Sequence, residues 1–260
     1  MRWVLCFTAL MCLLRPVAAQ ERTQPLQELF FTEVIYPQEK GETQLTFGAL
    51  IDRSEQVPAA IVPFSIEYGI TNRWQIEAAW DGYSRSRSAP VKQLRTARFS
   101  VGTKYSLMNI AGSPVHAAVG IDVEFPHPNA FADDEGEDSV DLEPFIAMAV
   151  DVGRRLTVFG SATLSWEPHD VAALVEHATP PEDPGTLSAG ALVAMARVTV
   201  AVEYTNRSDE LPWRLDGAPL LTPSIVLHPP HKWEVGVGTP IGLRHGERQP
   251  GVVAHIVKEF

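Results

Sequence analysis

The feature that most constrains the fold is a repeated alternation of apolar and polar side chains along segments of about ten residues. In residues 115–125, every odd-numbered residue is apolar, whereas His116, Asp122 and Glu124 lie on the opposite side of an extended strand. Residues 96–107 alternate in the same way. A helix would mix the two sets, because its side chains repeat every 3.6 residues rather than every two. The alternation therefore predicts an all-β chain.

Segments of this kind follow one another from Thr43 to Phe260. Roughly ten residues is the length that a tilted strand needs to cross a bilayer, with lipid on one face and water on the other. The predicted strands are 43–52, 60–69, 74–83, 96–107, 115–125, 140–152, 156–166, 186–195, 198–206, 219–228, 233–242 and 251–260. Their connections are alternately short and mostly longer, as in barrels with periplasmic turns and outer loops. We predict a transmembrane antiparallel up-and-down β-barrel of about 12 strands.

Outward-facing aromatic residues form two groups, which favours a membrane barrel over a soluble β-sandwich or lipocalin-like barrel. Rings with a polar edge prefer the headgroup level of a bilayer. The predicted belt near the short turns contains Tyr68, Trp74, Tyr105, Trp233 and Phe260, and the belt near the long loops contains Trp80, Tyr83, Phe125, Trp166 and Tyr204. A soluble barrel would instead direct its bulky apolar face into a core. The face opposite the apolar one is rich in Gly, Ser, Thr and Glu.

Both ends of the sequence suggest export. Arg2 precedes an apolar run that ends at Leu14, and small residues at 17–19 provide a cleavage site, so residues 1–19 are predicted to be a cleaved signal peptide. The run is shorter than the roughly 20 residues of a spanning helix. Residues 20–42 are then a periplasmic or plug segment, and 43–260 the barrel. The last strand ends on Phe260 and resembles the signal read by the barrel-assembly machinery of Gram-negative bacteria.

Composition excludes several classes of function. Cys6 and Cys12 are the only cysteines and both lie in the predicted signal peptide, so a disulfide, a thiol nucleophile or a cysteine metal site is not expected. The formal net charge of −11 repels phosphate backbones, and nucleic acid is not an expected partner. No cofactor is expected. The expected partners are outer-membrane lipid, lipopolysaccharide and small solutes.

Three stretches resemble a known family: residues 31–44, residues 65–77, and residues 238–243 followed by the closing strand. They are similar to bacterial outer-membrane proteins grouped with the transporters of the meta-pathway of phenol degradation. The resemblance covers most of residues 31–260 and implies a twelve-stranded barrel in the outer membrane that transports small solutes. Lys258 stands where such barrels often carry an aromatic or apolar residue.

The alternation also assigns an acidic set of side chains to the lumen. The predicted inward residues are Glu67, Glu77, Asp81, Asp122, Glu124, Glu143, Asp151, Glu203, Glu234 and Glu259, with Arg98 and Lys104 as cations. Carboxylates in a low-dielectric wall concentrate negative potential and favour cations in an open passage. The alternative is that they are solvated at the rims, or paired with the two cations inside a filled barrel. Residues 20–42 either plug this lumen or lie in the periplasm.

Catalytic and metal-binding interpretations are weaker. Ser224 and His228 share a face of one strand but lie about 13 Å apart along it, too far for a hydrogen bond. His255 leaves a Ser–His pair between strands open. His228 and His231 are too few ligands for a metal site, and the acidic run 133–138 does not match a calcium loop. We expect a channel or transporter rather than an enzyme; the alternatives are a non-conducting structural or surface-interaction barrel and a lipid-modifying barrel enzyme.

Overall fold

The computed structural model describes residues 25–52, 59–85, 95–126, 140–166, 185–208, 218–243 and 251–260. The predicted signal peptide and the acidic run 133–138 lie outside these ranges. Thirteen strands and one short 3₁₀ helix, Ile110–Gly112, are formed within them. The strands are β1 (Thr43–Asp52), β2 (Ala59–Thr71), β3 (Trp74–Arg85), β4 (Arg95–Leu107), β5 (Val115–Pro126), β6 (Asp141–Val152), β7 (Leu156–Leu164), β8 (Gly185–Ala194), β9 (Val198–Ser208), β10 (Ala218–Leu227), β11 (Trp233–Gly238), β12 (Ile241–Gly242) and β13 (Val252–Glu259).

The strands form one closed antiparallel sheet. Each strand from β1 to β10 pairs with its neighbours in sequence, β10 pairs with both β11 and β12, β11 pairs with β13, and β13 returns to β1. The short strands β11 and β12 are two parts of one interrupted strand of the barrel wall. The closed wall therefore consists of twelve strands in this sense, and the predicted all-β fold with about twelve strands is confirmed.

The interruption between β11 and β12 lies at Thr239 and Pro240. Proline has no N–H group to donate to a neighbouring strand, so it interrupts the ladder. The wall nevertheless stays connected here. The Thr239 N–H donates to the carbonyl of Pro223 at 3.1 Å, and the Gly251 N–H donates to the carbonyl of Pro240 at 3.0 Å.

The two faces of the strands differ in exposure as the alternation predicts. In β13, Val253, His255, Val257 and Glu259 are buried, whereas Val252 and Ile256 are exposed. Large apolar side chains are exposed on the outside of strands around the barrel; Val119 on β5 and Val237 on β11 are both 52% exposed. An exterior of this kind is suited to a hydrocarbon environment.

The described connections all lie at one end of the barrel, which we call the short-turn mouth. They lie between β2 and β3, β4 and β5, β6 and β7, β8 and β9, and β10 and β11. In the last of these, His231 and Lys232 have φ values of 67° and 58°, the left-handed conformation that tight hairpin turns need. The connections predicted to be longer contain the residues that the structure does not describe. No described helix is long and apolar enough to cross a membrane.

Candidate functional site

Residues 25–38, here called the inner segment, lie against inward-facing side chains of the barrel. The segment begins and ends at the short-turn mouth. At one end the Thr199 hydroxyl donates to the Pro25 carbonyl at 2.9 Å, and at the other the Gln38 N–H donates to the side chain of Gln75 at 2.9 Å. Thr199 and Gln75 each lie one residue inside a strand that starts at this mouth. The inner segment therefore enters and leaves the lumen on the same side.

Two carboxylates hold the main chain of the inner segment. Glu203 on β9 accepts the N–H groups of Phe30 and Phe31 at 3.1 and 3.0 Å, one on each oxygen. Glu234 on β11 accepts those of Gln27 and Glu28 at 2.9 and 3.2 Å in the same way. The two carboxyl residues are 0% and 2% exposed. We call Glu203 and Glu234 the clamp carboxylates.

The clamp carboxylate on β11, Glu234, is contacted by two histidines rather than by lysine or arginine. His255 Nε2 lies 3.3 Å and His228 Nδ1 lies 3.5 Å from the Glu234 carboxylate. The His255 ring also stacks on Phe30, with ring centroids 4.7 Å apart. Among the described residues, no Lys or Arg forms an ion pair with either clamp carboxylate, so the N–H groups of the inner segment are their main donors.

One side of the inner segment is apolar and packs against strands β5 to β10. The cluster consists of Leu26, Val34, Ile35 and Tyr36 of the segment with Ala118, Ala147, Ala149, Phe159, Leu192, Ala201 and Val226 of the barrel. The cavity between segment and wall has a volume of about 10 Å³, which is close to the space that one water molecule needs. This half of the lumen is filled by side chains.

The other side of the inner segment is polar and faces β1 to β4. The Gln44 amide donates to Glu67 at 2.8 Å and to the Glu28 carboxylate at 3.1 Å. The Gln75 amide also donates to Glu67, and the Gln38 amide donates to Gln44 at 2.7 Å. Glu67 is therefore solvated by amide groups instead of water, and the network joins the segment to β1, β2 and β3.

Lys104 is the cation at the centre of this polar side. Its ammonium attracts the carboxylates of Glu67, Glu33, Glu28 and Glu77. Burial raises the pKa of Glu28 well above its usual value, and the nearby Glu67 carboxylate raises it further. Burial also raises the pKa of Glu33, against the opposing attraction of Lys104. Ionised carboxyls on the inner segment therefore oppose its insertion, and Lys104 partly offsets that effect.

The predicted lumen residues are placed as follows. Glu67, Glu203, Glu234 and Glu259 are buried, and Glu77, Lys104, Asp122, Glu124, Glu143 and Asp151 are half-buried. Cross-strand register pairs Asp122 with Glu143 and Glu124 with Asp141. Asp81 and Arg98 are register partners on β3 and β4, and their side chains lie outside the described part of the structure. The role of this set in a passage stays a prediction.

The aromatic residues predicted to form belts are mostly on the outer surface. Tyr68, Trp74, Trp80, Tyr105, Phe125, Trp233 and Phe260 are exposed, whereas Trp166 and Tyr204 are half-buried. The side chain of Tyr83 is outside the described set. The Lys258 ammonium lies 5.5 Å from the Trp233 ring centre and 5.1 Å from that of Phe260, so this outward lysine sits over aromatic faces. Their function as membrane belts stays a prediction.

The residues considered for catalysis or metal binding have other contacts. The Ser224 hydroxyl donates to the Ala201 carbonyl at 3.5 Å, and His228 Nε2 lies 2.9 Å from the Thr199 hydroxyl. Within the described residues no hydrogen bond joins Ser224 to a histidine. His231 is exposed in its turn. The described side chains contain no group of three or more His, Cys, Asp or Glu arranged for a metal ion.

The contacts of the inner segment were missed by sequence reasoning, which left residues 20–42 as either a plug or a periplasmic stretch. A signal was present in the sequence. Seven apolar residues lie between residue 25 and the first strand, and such residues need a surface on which to be buried; they are Leu26, Leu29, Phe30, Phe31, Val34, Ile35 and Tyr36. The apolar half of the lumen was also not expected. The alternation distinguishes inward from outward positions, but it does not show which inward residues contact the inner segment.

Comparison with known proteins identifies relatives by fold and not by sequence. No protein-family model matches the chain, and no curated protein matches it. The COG4313 outer membrane channel from Pseudomonas putida F1 has a TM-score of 0.61 at 10% identity, covering 87% of this chain and 98% of that one. The KdgM porin has a TM-score of 0.54 at 10% identity, covering 84% and 99%. The same porin in complex with disordered oligogalacturonate gives 0.56. The chain has the fold of outer-membrane channels.

Proposed function

We propose that the protein is an outer-membrane channel for small solutes and that its lumen favours cations. The observation that carries this proposal is the charge on the inward face of a closed barrel. Nine of the ten carboxylates predicted to face inward have described side chains, all buried or half-buried, whereas Lys104 is the one described Lys or Arg among the predicted inward residues. In a low-dielectric wall such a set attracts cations and repels anions.

Several features support a location in the outer membrane. The exterior is apolar on strands around the barrel, and the fold is shared with outer-membrane channels. Export would use the predicted signal peptide, and assembly would use the last strand. The surrounding partners are then lipid and lipopolysaccharide. The finer assignment to the phenol meta-pathway transporter family is part of this proposal and rests on the three stretches of resemblance alone.

The passage is proposed to run past the carboxylates of β5 and β6, where Asp122 lies opposite Glu143 and Glu124 opposite Asp141. Along these strands the carboxyl positions lie farther from the short-turn mouth than Ala118 and Ala147 of the apolar cluster, toward the end with the longer connections. Their four carboxyl positions are adjacent across the strand pair, so a cation there would meet several negative charges at once.

The test is the reversal potential of the purified protein in planar bilayers that separate unequal KCl concentrations. We expect a sign that indicates preference for K⁺ over Cl⁻. The double substitution E124Q with E143Q should move the potential toward zero, because two lumen charges are removed. E39Q is the matched control, since Glu39 is exposed at the short-turn mouth. Anion preference of the unmodified protein would refute the charge argument.

A second candidate is a non-conducting surface barrel, and the filled half of the lumen favours it. The cavity of about 10 Å³ beside the inner segment is too small for a hydrated ion. The two functions are separated by conductance once the inner segment is released. A barrel that stays silent with the segment displaced would be a scaffold.

A further inference from the structure

We infer that the inner segment, residues 25–38, is a displaceable gate of the proposed channel and that the clamp carboxylates Glu203 and Glu234 are its latch. The inference rests on the proposed channel function for its consequence, because a gate needs a passage. Its structural part, the release of the segment from the lumen, can be measured separately.

The route of the inner segment makes withdrawal possible. Both ends lie at the short-turn mouth, beside Thr199 and Gln75, and no residue of the segment belongs to a strand. The segment reaches inward to Phe31, whose carbonyl accepts the Ser188 hydroxyl at 3.1 Å. A chain that enters and leaves by one opening can move out without threading through the wall, and the strand ladder stays intact.

The contacts of the segment are of a kind that can be exchanged for water. Its main chain is held by side-chain oxygens of Glu203, Glu234, Ser188 and Thr199. The four N–H groups bound by the clamp carboxylates would be hydrated after release, and so would the carboxylates. Charge-assisted hydrogen bonds are stronger than neutral ones, so these four bonds are the largest polar contribution to holding the gate closed.

Opposing interactions keep the closed state from being permanent. Glu28 and Glu33 are carried into a lumen that already contains Glu67 and Glu77, and Lys104 is the nearby cation. The raised pKa values of Glu28 and Glu33 report the cost of burying them. The clamp carboxylates and the apolar cluster thus stabilise the closed gate, and repulsion among the crowded carboxyls opposes it.

The geometry of the latch predicts that glutamine is a poor replacement. Each clamp carboxylate uses both oxygens, one for each of two consecutive N–H groups. Glutamine has one carbonyl oxygen, and its NH₂ group would face a second N–H donor. E203Q and E234Q should therefore each lose one hydrogen bond and place donor against donor, while keeping the shape of the side chain.

The experiment places a reporter thiol on the segment by the substitution L29C in the full chain, whose two cysteines both lie in the predicted signal peptide. Leu29 packs against the buried cluster. A membrane-impermeant maleimide should react with the thiol about tenfold faster in each latch variant, the factor that corresponds to about 1.4 kcal/mol. E39Q, which removes an exposed carboxylate at the same mouth, should react at the unmodified rate. Conductance in planar bilayers should rise with the labelling rate.

The two readouts separate the two proposals. Faster labelling without conductance would support the latch and overturn the channel function. The other outcome is that the unmodified protein conducts and that both latch variants have the same labelling rate and the same conductance as the unmodified protein. This outcome would overturn the gate and leave the channel function standing. Folding of each variant is verified by its heat-dependent mobility in detergent gels.

A cross-linked variant keeps the inference testable if the latch variants fail to assemble. P25C with T199C places one thiol on each of two residues that are in contact, since the Thr199 hydroxyl lies 2.9 Å from the Pro25 carbonyl oxygen. Oxidation should hold the segment in place and abolish conductance, and a reductant should restore it. Equal conductance of the oxidised and reduced forms, with the cross-link shown by gel mobility, would overturn the gate.

Discussion

At the scale of single residues, Glu67 shows how a buried charge is accommodated without a direct ion pair among the described contacts. Its carboxylate accepts hydrogen bonds from the side-chain amides of Gln44 and Gln75, and the Gln38 amide lies 3.5 Å away. Three amides and the more distant Lys104 replace the hydration that the residue loses at 3% exposure. Sequence alternation predicted that Glu67 points inward. It gave no indication of the glutamines, because amide partners follow from register and from the path of the inner segment.

Replacing Glu67 should therefore destabilise the barrel more than its single charge suggests. In E67Q an NH₂ donor would face amide donors, leaving at least one buried polar group without a partner, a loss of about 1–3 kcal/mol. The free energy of unfolding in urea, measured in lipid vesicles, checks this. E39Q serves as the control, since an exposed substitution usually changes stability by no more than about 0.5 kcal/mol. Equal midpoints for the two variants would contradict the assigned network.

Lys104 is expected to hold the polar side of the inner segment in place. In K104M the side chain keeps much of its length, but Glu28, Glu33, Glu67 and Glu77 lose their nearby cation. Repulsion between the segment and the wall then rises. The L29C thiol should react several-fold faster with a maleimide in K104M than in the unmodified background, and K40M, an exposed lysine at the mouth, should leave the rate unchanged. A slower reaction in K104M would show that Lys104 keeps the segment away.

At the scale of elements, the inner segment depends on a close approach to the end of β2. A Cβ built on Gly69 would lie 2.0 Å from the Glu39 carbonyl oxygen and 2.7 Å from that of Gln38. The Gly41 N–H donates to the Gly69 carbonyl at 2.8 Å at the same point. The segment can leave the lumen here only because Gly69 has no side chain. The elements themselves were predictable, since the strands match the predicted spans to within a few residues.

Substitution of Gly69 should loosen the exit of the inner segment. G69A forces the backbone of residues 38–39 to move, and overpacking of this kind costs about 1–3 kcal/mol. Hydrogen exchange of residues 38–42 should become faster while exchange in the strands far from Gly69 stays unchanged. G160A is the control, because the nearest atom to its new Cβ would be the Ser188 carbonyl oxygen at 3.0 Å, a much smaller displacement. Unchanged exchange in G69A would show that residues 38–39 do not pass this closely.

At the scale of the whole molecule, the barrel divides into two interior halves that alternation cannot distinguish. Strands β5 to β10 contribute Phe159, Leu192 and Val226 to an apolar wall, and β1 to β4 contribute Glu67 and Lys104 to a polar one. A period of two separates lipid from lumen on each strand. The period of two does not show which strands contact the same face of the inner segment. Those contacts depend on the path of residues 25–38, which lie outside the alternating strands. The fold was therefore predictable, and the occupied lumen was not.

The same division gives the closed molecule a predicted dependence on pH. Glu28 and Glu33 have pKa values raised by burial above the usual 4.5, with Glu67, Glu77, Asp122 and Lys104 as the charged groups around them. The inserted segment binds protons more tightly than the released one. The contribution of these two carboxyls to the stability of the inserted segment is therefore fully present below about pH 4.5 and is lost as pH rises through the raised values. Protection of residues 25–38 from hydrogen exchange, corrected for the intrinsic rate at each pH, should fall between acidic and neutral pH.

In the double variant E28Q with E33Q, which has no carboxyl to ionise on the segment, this fall should largely disappear. Protection that increases with pH, or an equal fall in the double variant, would show that these two carboxyls do not control insertion.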